Sequence, residues 1–74
     1  MMINWTLKNG AYTAETEFGL YHIGSQLSLY GREFTLTLSK DGQVHMEGKH
    51  PTVSDAQRIA EEDMLYRQRM WEIL

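Results

Sequence analysis

The chain has 74 residues, of which 42% are hydrophobic and 23% charged, and its formal net charge is −3 at pH 7. We expect residues 1–74 to form one domain with one small core, since this length leaves no room for a second. The absence of cysteine excludes disulfides and thiolate metal sites, and the acidic balance disfavours a general binder of the nucleic-acid backbone. No basic leader or apolar run of membrane-spanning length is visible, so we predict a cytoplasmic protein without membrane contact.

The first residues follow a period of two, which is typical of β-strands. Ile3, Trp5 and Leu7 alternate with polar residues, and Asn9-Gly10 is a strong signal for a type I′ hairpin turn. A second strand with one polar face follows over residues 12–16. Phe18-Gly19 predicts a turn or bulge, and residues 20–23 predict a further short strand.

Residues 24–33 leave two readings open, an ordered loop or a short edge strand, because Gly24 and Gly31 interrupt the apolar residues. Alternation returns from Phe34 to Leu38, Asp41-Gly42 predicts a second hairpin turn, and a last strand carries Val44 and Met46. The β-rich part therefore covers residues 1–50.

The last third of the chain predicts one long helix over about 53–73. His50-Pro51 ends the preceding strand, Thr52 and Ser54 are both good N-caps, and no Gly or Pro occurs from 53 to 74. Eight apolar residues share one helix face: Val53, Ala56, Ile59, Ala60, Met64, Met70, Trp71 and Leu74.

Together these elements predict an α+β fold, a small antiparallel sheet of four or five strands packed against one long C-terminal helix. The strand order stays undetermined. The inner sheet face would carry Trp5, Tyr12, Leu36, Leu38, Val44 and Met46, and the face open to water Thr13, Glu15, Glu17, Thr35, Thr37, His45 and Glu47.

No residue pattern indicates catalysis, so we predict a non-enzyme without a cofactor. The sequence has no cysteine nucleophile, no G-x-S-x-G and no phosphate loop. The histidines His22, His45 and His50 lack metal-ligand spacing, so we predict no metal site. Asp63 and Arg67 stand one turn apart inside the apolar stripe, and we interpret them as a structural ion pair.

Apolar residues outside the predicted core are the stronger functional signal. Leu65 falls on the polar face of the helix with Arg69, while Tyr66 and Ile73 lie at its edges. Tyr21 and Ile23 also point opposite to Leu20 in their strand, so one of these sets faces away from the core. One interpretation is that such residues mark an interface, with another protein or in a homodimer. The other is that they lie under the segment 24–33 or are single exposed apolar residues without a role.

Three segments resemble a loose group of small uncharacterised phage and prophage proteins: residues 13–23 (TAETEFGLYHI), 52–57 (TVSDAQ) and 60–67 (AEEDMLYR). That group shows an early Trp, an Ala-x-Thr-x-Phe-Gly-x-Tyr-x-Ile strand and a closing helix with Ala-x-x-Asp-x-x-x-Arg. The resemblance implies a viral accessory protein that binds a host or phage protein, and it supplies no catalytic residues. The alternatives are a nucleic-acid-associated accessory factor using the sheet face, which the net negative charge disfavours, and a homo-oligomeric structural protein.

Overall fold

The computed structural model describes residues 3–73, with side chains described through residue 72. It shows an antiparallel sheet followed by one helix, which confirms the predicted α+β fold. The five strands lie side by side in chain order, so each pairs with the next. The elements are β1 Thr6–Lys8, β2 Ala11–Thr16, β3 Gly19–Ser28, β4 Gly31–Lys40, β5 Gln43–His50 and α1 Val53–Ile73.

Two of the predicted turns have the expected backbone geometry. Asn9 and Gly10 have φ angles of 53° and 80°, and Asp41 and Gly42 have φ angles of 54° and 78°. Positive φ at both central residues is the signature of type I′, whose twist matches that of the flanking strands. The first and last hairpins of the sheet are therefore set by local turn chemistry.

Residues 24–33 form neither a loop nor a separate short edge strand, so both readings of this segment were wrong. They complete the central hairpin, in which β3 and β4 pair continuously from Leu20 opposite Ser39 to Ser28 opposite Gly31. Gly24 does not break the strand because it lies in a paired row opposite Thr35. The hairpin is longer than the strands beside it, since β2 pairs with β3 only through Ile23 and β5 ends opposite Phe34.

The core lies between one face of the sheet and the helix. Tyr21, Ile23, Leu36 and Leu38 from the two central strands are fully buried, and Ile3 packs against them from the segment before β1. Tyr21 and Ile23 therefore belong to the core, and Leu20 lies on the opposite face. Trp5, Tyr12 and Met46 are partly buried at the margin of this core, as predicted.

Val44 was predicted on the inner face and lies on the outer one. The register shifts between Leu38, which pairs with Met46, and Ser39, which pairs with Val44. This bulge places one extra residue in β5, so the alternation of faces is inverted beyond it. The Val44 side chain is 62% exposed as a result.

The helix begins after Thr52, whose hydroxyl accepts a hydrogen bond from the Asp55 amide at 3.0 Å. Thr52 is therefore the N-cap, and Ser54 lies within the first turn. Ala56 and Ala60 are fully buried and Met64 is nearly so, which places the first three turns of the predicted stripe on the sheet. Small side chains at these positions let the helix approach the strands closely.

Candidate functional site

Among the described residues, the two most exposed large apolar side chains, Leu29 and Tyr30, lie on the projecting part of the central hairpin. We call this part, residues 26–33, the arm. Leu27, Leu29 and Tyr30 are 76%, 97% and 98% exposed. The arm extends past β2 and β5 by three paired rows and a turn, or about 10 Å at the rise of an extended strand. Its two long edges consequently carry no neighbouring strand over these rows.

The turn at the tip of the arm is ordered by a serine hydroxyl. Ser28 Oγ donates to the Gly31 carbonyl oxygen at 2.9 Å and accepts from the Tyr30 amide at 3.2 Å. These two bonds fix the backbone around Leu29 and Tyr30. The backbone of the apolar tip is therefore ordered by hydrogen bonds while its side chains face solvent.

Polar contacts stiffen the arm below its tip. Gln26 donates to the Glu33 carboxylate at 3.1 Å across the two strands, and Arg32 donates to the Ser25 hydroxyl at 3.2 Å. At the base of the arm, Lys49 lies 3.9 Å from Glu33. A cavity of about 320 Å³ opens beside these residues, lined by Ser28, Tyr30, Arg32, Glu33, Lys49, His50 and Pro51.

A second apolar surface lies at the opposite end of the molecule, where the helix ends. Met70 and Trp71 were predicted to face the core, and they are 41% and 76% exposed instead. The reason is length: a helix of 21 residues spans about 31 Å, whereas the five rows that β2 and β3 share span about 17 Å. The last turns of the helix therefore pass the end of the sheet. Leu74, the remaining residue of the predicted stripe, lies outside the described residues.

These last turns form a groove of about 300 Å³ lined by Phe18, Tyr66, Arg67, Met70 and Trp71, which we call the C-terminal groove. Phe18 comes from the turn between β2 and β3. In that turn Thr16 Oγ1 donates to the Gly19 carbonyl oxygen at 2.9 Å and accepts from the Phe18 amide at 3.2 Å.

The turns at the two ends of β3 are thus the same local structure. Thr16-Glu17-Phe18-Gly19 and Ser28-Leu29-Tyr30-Gly31 each place a hydroxyl first, an aromatic ring third and a positive-φ glycine fourth. The difference is what surrounds the ring. Phe18 is half-buried beside the helix, while Tyr30 is almost fully exposed.

Asp63 and Arg67 form an ion pair, with Arg67 Nε 2.7 Å from Asp63 Oδ2. The same carboxylate oxygen accepts a hydrogen bond from the Tyr21 hydroxyl at 2.6 Å. Burial, and then the neighbouring Asp63 carboxylate, raise the pKa of Tyr21 well above its usual value. The bond to Asp63 also raises the pKa of Arg67. Trp5 packs edge-on against the Tyr21 ring at 6.5 Å.

This network ties the helix to the central strand of the sheet. The sequence predicted the ion pair, and the structure adds a tyrosine 42 positions away that no local pattern indicates. The carboxylate is held by two donors at the edge of the core, where its side chain is 17% exposed. We therefore assign this cluster to stability rather than to the function of the molecule.

The residues of the predicted interface lie close together on the C-terminal half of the helix. Leu65 is 41% exposed and Tyr66 63% exposed, and Arg69 is exposed as well. Tyr66 lines the C-terminal groove, whereas the Ile73 side chain lies outside the described residues. The predicted interface thus meets the groove at Tyr66. The use of these four residues as an interface stays a prediction.

The sheet face away from the helix is polar. His22 and Thr37 lie there with Gln26 beside a shallow depression of about 250 Å³. The charged residues of the five strands on this face are Glu15, Glu33, Glu47, Lys8 and Lys49. Within residues 3–73, no group of three or more His, Asp or Glu side chains is arranged to hold a metal ion.

Sequence reasoning missed the arm and the C-terminal groove. A usable signal was the repeated pattern hydroxyl-x-aromatic-Gly at 16–19 and 28–31, which predicts two equivalent turns and hence a long strand between them.

Comparisons of the chain with protein-family models, with curated proteins and with solved structures found no match. Among the described residues, no helix is both long and apolar enough to cross a membrane.

Proposed function

We propose that this chain is a small protein-binding module that acts without catalysis. The observation that carries the proposal is the placement of its exposed apolar side chains. Large apolar residues gather at the arm tip and at the C-terminal groove, and those at the tip are between 76% and 98% exposed. Contiguous exposed apolar residues on a small protein mark interaction surfaces.

The most exposed of these side chains, Leu29, Tyr30 and Trp71, take no part in the core. The core is closed by Tyr21, Ile23, Leu36 and Leu38 under the helix, and neither end of the molecule contributes a fully buried residue to it. An ordered tip that carries two leucines and a tyrosine also has a low entropic cost of binding, because its backbone is fixed before contact. Tyrosine is, in addition, enriched among the residues that dominate interface energies.

The charge of the open sheet face favours a protein partner over nucleic acid. Three carboxylates, Glu15, Glu33 and Glu47, stand there against two lysines, Lys8 and Lys49. A surface that binds phosphates needs the reverse balance. The resemblance to small phage and prophage proteins supports a role in which the module binds a host or phage protein.

Affinity capture from a lysate of the native host tests the proposal, provided that capture depends on the arm. The double variant Leu29→Ser with Tyr30→Ser removes the large apolar side chains of the tip. Leu7→Ser is the matched control, because Leu7 is 61% exposed on β1 and belongs to neither the arm nor the C-terminal groove. We expect the wild type and the Leu7→Ser control to retain the same captured protein through nuclease treatment and high-salt washing. The double variant Leu29→Ser with Tyr30→Ser (the arm variant) should lose that captured protein.

Two results would contradict the proposal. Retention that disappears with nuclease or salt would indicate nucleic acid as the partner, since phosphate contacts weaken steeply with salt. Equal retention by the wild type and the arm variant would show that the arm makes no contribution. Repeating the capture with Leu65→Glu tests the predicted helix interface in the same way.

A further inference from the structure

We propose that the partner protein adds one extended segment, as a further strand, to the free edge of β3 in the arm. This edge consists of residues 25–28, which we call the β3 edge. The inference rests on the proposed function, because it names how the partner binds. Its test uses purified protein and peptides alone, so its failure leaves the capture experiment to decide the broader proposal.

The hydrogen-bonding direction of the strands follows from the first hairpin turn. A two-residue type I′ turn is closed by a hydrogen-bonded pair, here Lys8 and Ala11. Bonded and non-bonded pairs alternate along an antiparallel ladder, so the next residue of β2, Tyr12, directs its N–H and C=O at β3. Its partner Ile23 consequently directs its own N–H and C=O at β2.

Two residues of the β3 edge direct their backbone groups the same way and meet no strand. Ser25 and Leu27 follow Ile23 in steps of two, so their N–H and C=O groups also point to the β2 side. The pairing of β2 with β3 ends at Ile23, and within residues 3–73 no other strand lies beside residues 25–28 on that side. These groups recur about every 6.6 Å, the two-residue repeat of an extended chain, so their geometric complement is another strand.

The β3 edge lacks the features that hinder pairing at the other edges of the sheet. Natural edges are protected by short strands, charges, bulges and proline. At the outer edges, β1 has three residues, while β5 contains a bulge and is followed by Pro51. On the other side of the arm, β4 carries Arg32 and Glu33 beyond the end of β5. Residues 25–28, Ser-Gln-Leu-Ser, are exposed, uncharged and regularly paired with β4.

Side chains on both faces beside this edge determine which segment fits. Leu27 lies on the same face as the core residue Ile23 and is 76% exposed, so it offers an apolar contact. On the opposite face, Gly24 has no side chain, and a depression of about 250 Å³ opens there beside His22 and Gln26. Because neighbouring residues of a strand face opposite sides, we expect the bound segment to alternate apolar and hydrogen-bonding side chains.

The β3 edge is ordered before the partner binds. Gln26 donates to Glu33 across the arm at 3.1 Å, and the Ser28 hydroxyl orders the turn through two hydrogen bonds. Pairing therefore costs little backbone entropy, while the contact itself is only four residues long. We expect a peptide that pairs with this edge to have a Kd on the order of 100 μM.

Amide hydrogen exchange on the free protein tests the direction of the backbone groups. The N–H groups of Gly24 and Gln26 point at β4, whereas those of Ser25 and Leu27 point at solvent. We expect the Ser25 and Leu27 amides to exchange about tenfold or more faster than the two others. Equal exchange at all four residues would overturn the inference, because the edge would then be either covered or frayed.

Selection from a phage-displayed library of random heptapeptides on the purified protein tests the binding. We expect enrichment of peptides in which apolar and hydrogen-bonding residues alternate. A selected peptide is then synthesised in two N-methylated forms, one methylated at a central amide and one at the next amide along. Only every second amide of a strand faces its neighbour, so one form should bind about tenfold or more weakly and the other should bind as the parent peptide does.

Leu27→Pro removes an outward N–H from the β3 edge, and an edge strand tolerates proline where the N–H faces solvent. We expect the selected peptide to bind this variant about tenfold or more weakly. Arg32→Pro is the matched control. Arg32 stands directly opposite Leu27, so its N–H points away from the β3 edge, and this variant should bind the peptide as the wild type does.

A measurement on the wild type alone guards against a variant that fails to fold. Saturating peptide should slow hydrogen exchange at the Ser25 and Leu27 amides. Protection that appears instead at residues 43–50 or 66–71, selected peptides without alternation, or peptide binding that Leu27→Pro leaves intact would each overturn the inference. Protection at Ser25 and Leu27 that rises with protein concentration in the absence of peptide would identify a second copy as the occupant and would overturn it as well.

Discussion

The hydrogen bond between Tyr21 and Asp63 is a long-range polar contact that joins the helix to the sheet, and its removal has a calculable cost. Tyr21→Phe deletes the hydroxyl and leaves the fully buried ring in place, so no cavity forms around the ring and its contact with Trp5 persists. The lost bond is short, 2.6 Å, and its acceptor is a carboxylate. Hydrogen bonds to charged groups contribute about 1.5–3 kcal/mol.

The lower part of that range applies here. Asp63 keeps its bond to Arg67 at 2.7 Å and retains some contact with water, so the carboxylate is not left unpaired. We therefore expect Tyr21→Phe to lower the free energy of unfolding by about 1.5–2 kcal/mol. For 74 residues the entropy of unfolding is about 0.16 kcal/mol/K, which converts this loss to a fall in Tm of about 10 °C.

Urea and thermal unfolding followed by circular dichroism measure this loss, with Tyr12→Phe as the matched control. Tyr12 is half-buried on the same face of the sheet, and within the described residues its hydroxyl has no hydrogen bond. We expect the control to change stability by less than about 0.5 kcal/mol. If both variants cost the same, or if Tyr21→Phe costs nothing, the reasoning that assigns this network to stability is wrong.

Three further predictions concern pH, a turn and the helix surface. The pKa of the Tyr21 hydroxyl is raised in the folded state, so the unfolded chain loses the hydroxyl proton first as the pH rises, near pH 10. In unfolding experiments, the stability advantage of the wild type over Tyr21→Phe should therefore shrink above about pH 10. In unfolding experiments Gly19→Ala should cost at least about 1 kcal/mol more than Gly31→Ala: both glycines have positive φ, but only at Gly19 does an added Cβ overlap a backbone carbonyl oxygen. Leu65→Glu should unfold within about 1 kcal/mol of the wild type, since Leu65 is 41% exposed; loss of the fold would show that the helix is rotated from its described orientation.

Local chemistry made the hairpins and the helix predictable. Asn9-Gly10 and Asp41-Gly42 each specify a turn whose geometry does not depend on the rest of the fold. Thr52 and the absence of Gly or Pro after it similarly define where the helix begins and how far it runs. These features predicted the α+β architecture before any contact between the elements was known.

The errors came from quantities that only the assembled fold determines. Counting alternate residues placed Val44 inside because it assumed an uninterrupted ladder, and a bulge inverted the count. Counting helical turns placed Trp71 inside because periodicity gives the direction of a side chain but not the length of the sheet below it. The partner of Asp63 was equally beyond reach, since Tyr21 lies on another element.

The arm and the C-terminal groove arise from the same mismatch of lengths. The central hairpin is longer than its neighbours at one end, and the helix is longer than the sheet at the other. Each excess places apolar side chains, Tyr30 on the arm and Trp71 on the helix, beyond the reach of the core. A domain selected for stability alone gains nothing from either extension, because both expose large side chains and order residues at an entropic cost. Two such extensions with large exposed apolar side chains support the proposed role of the chain as a protein-binding module.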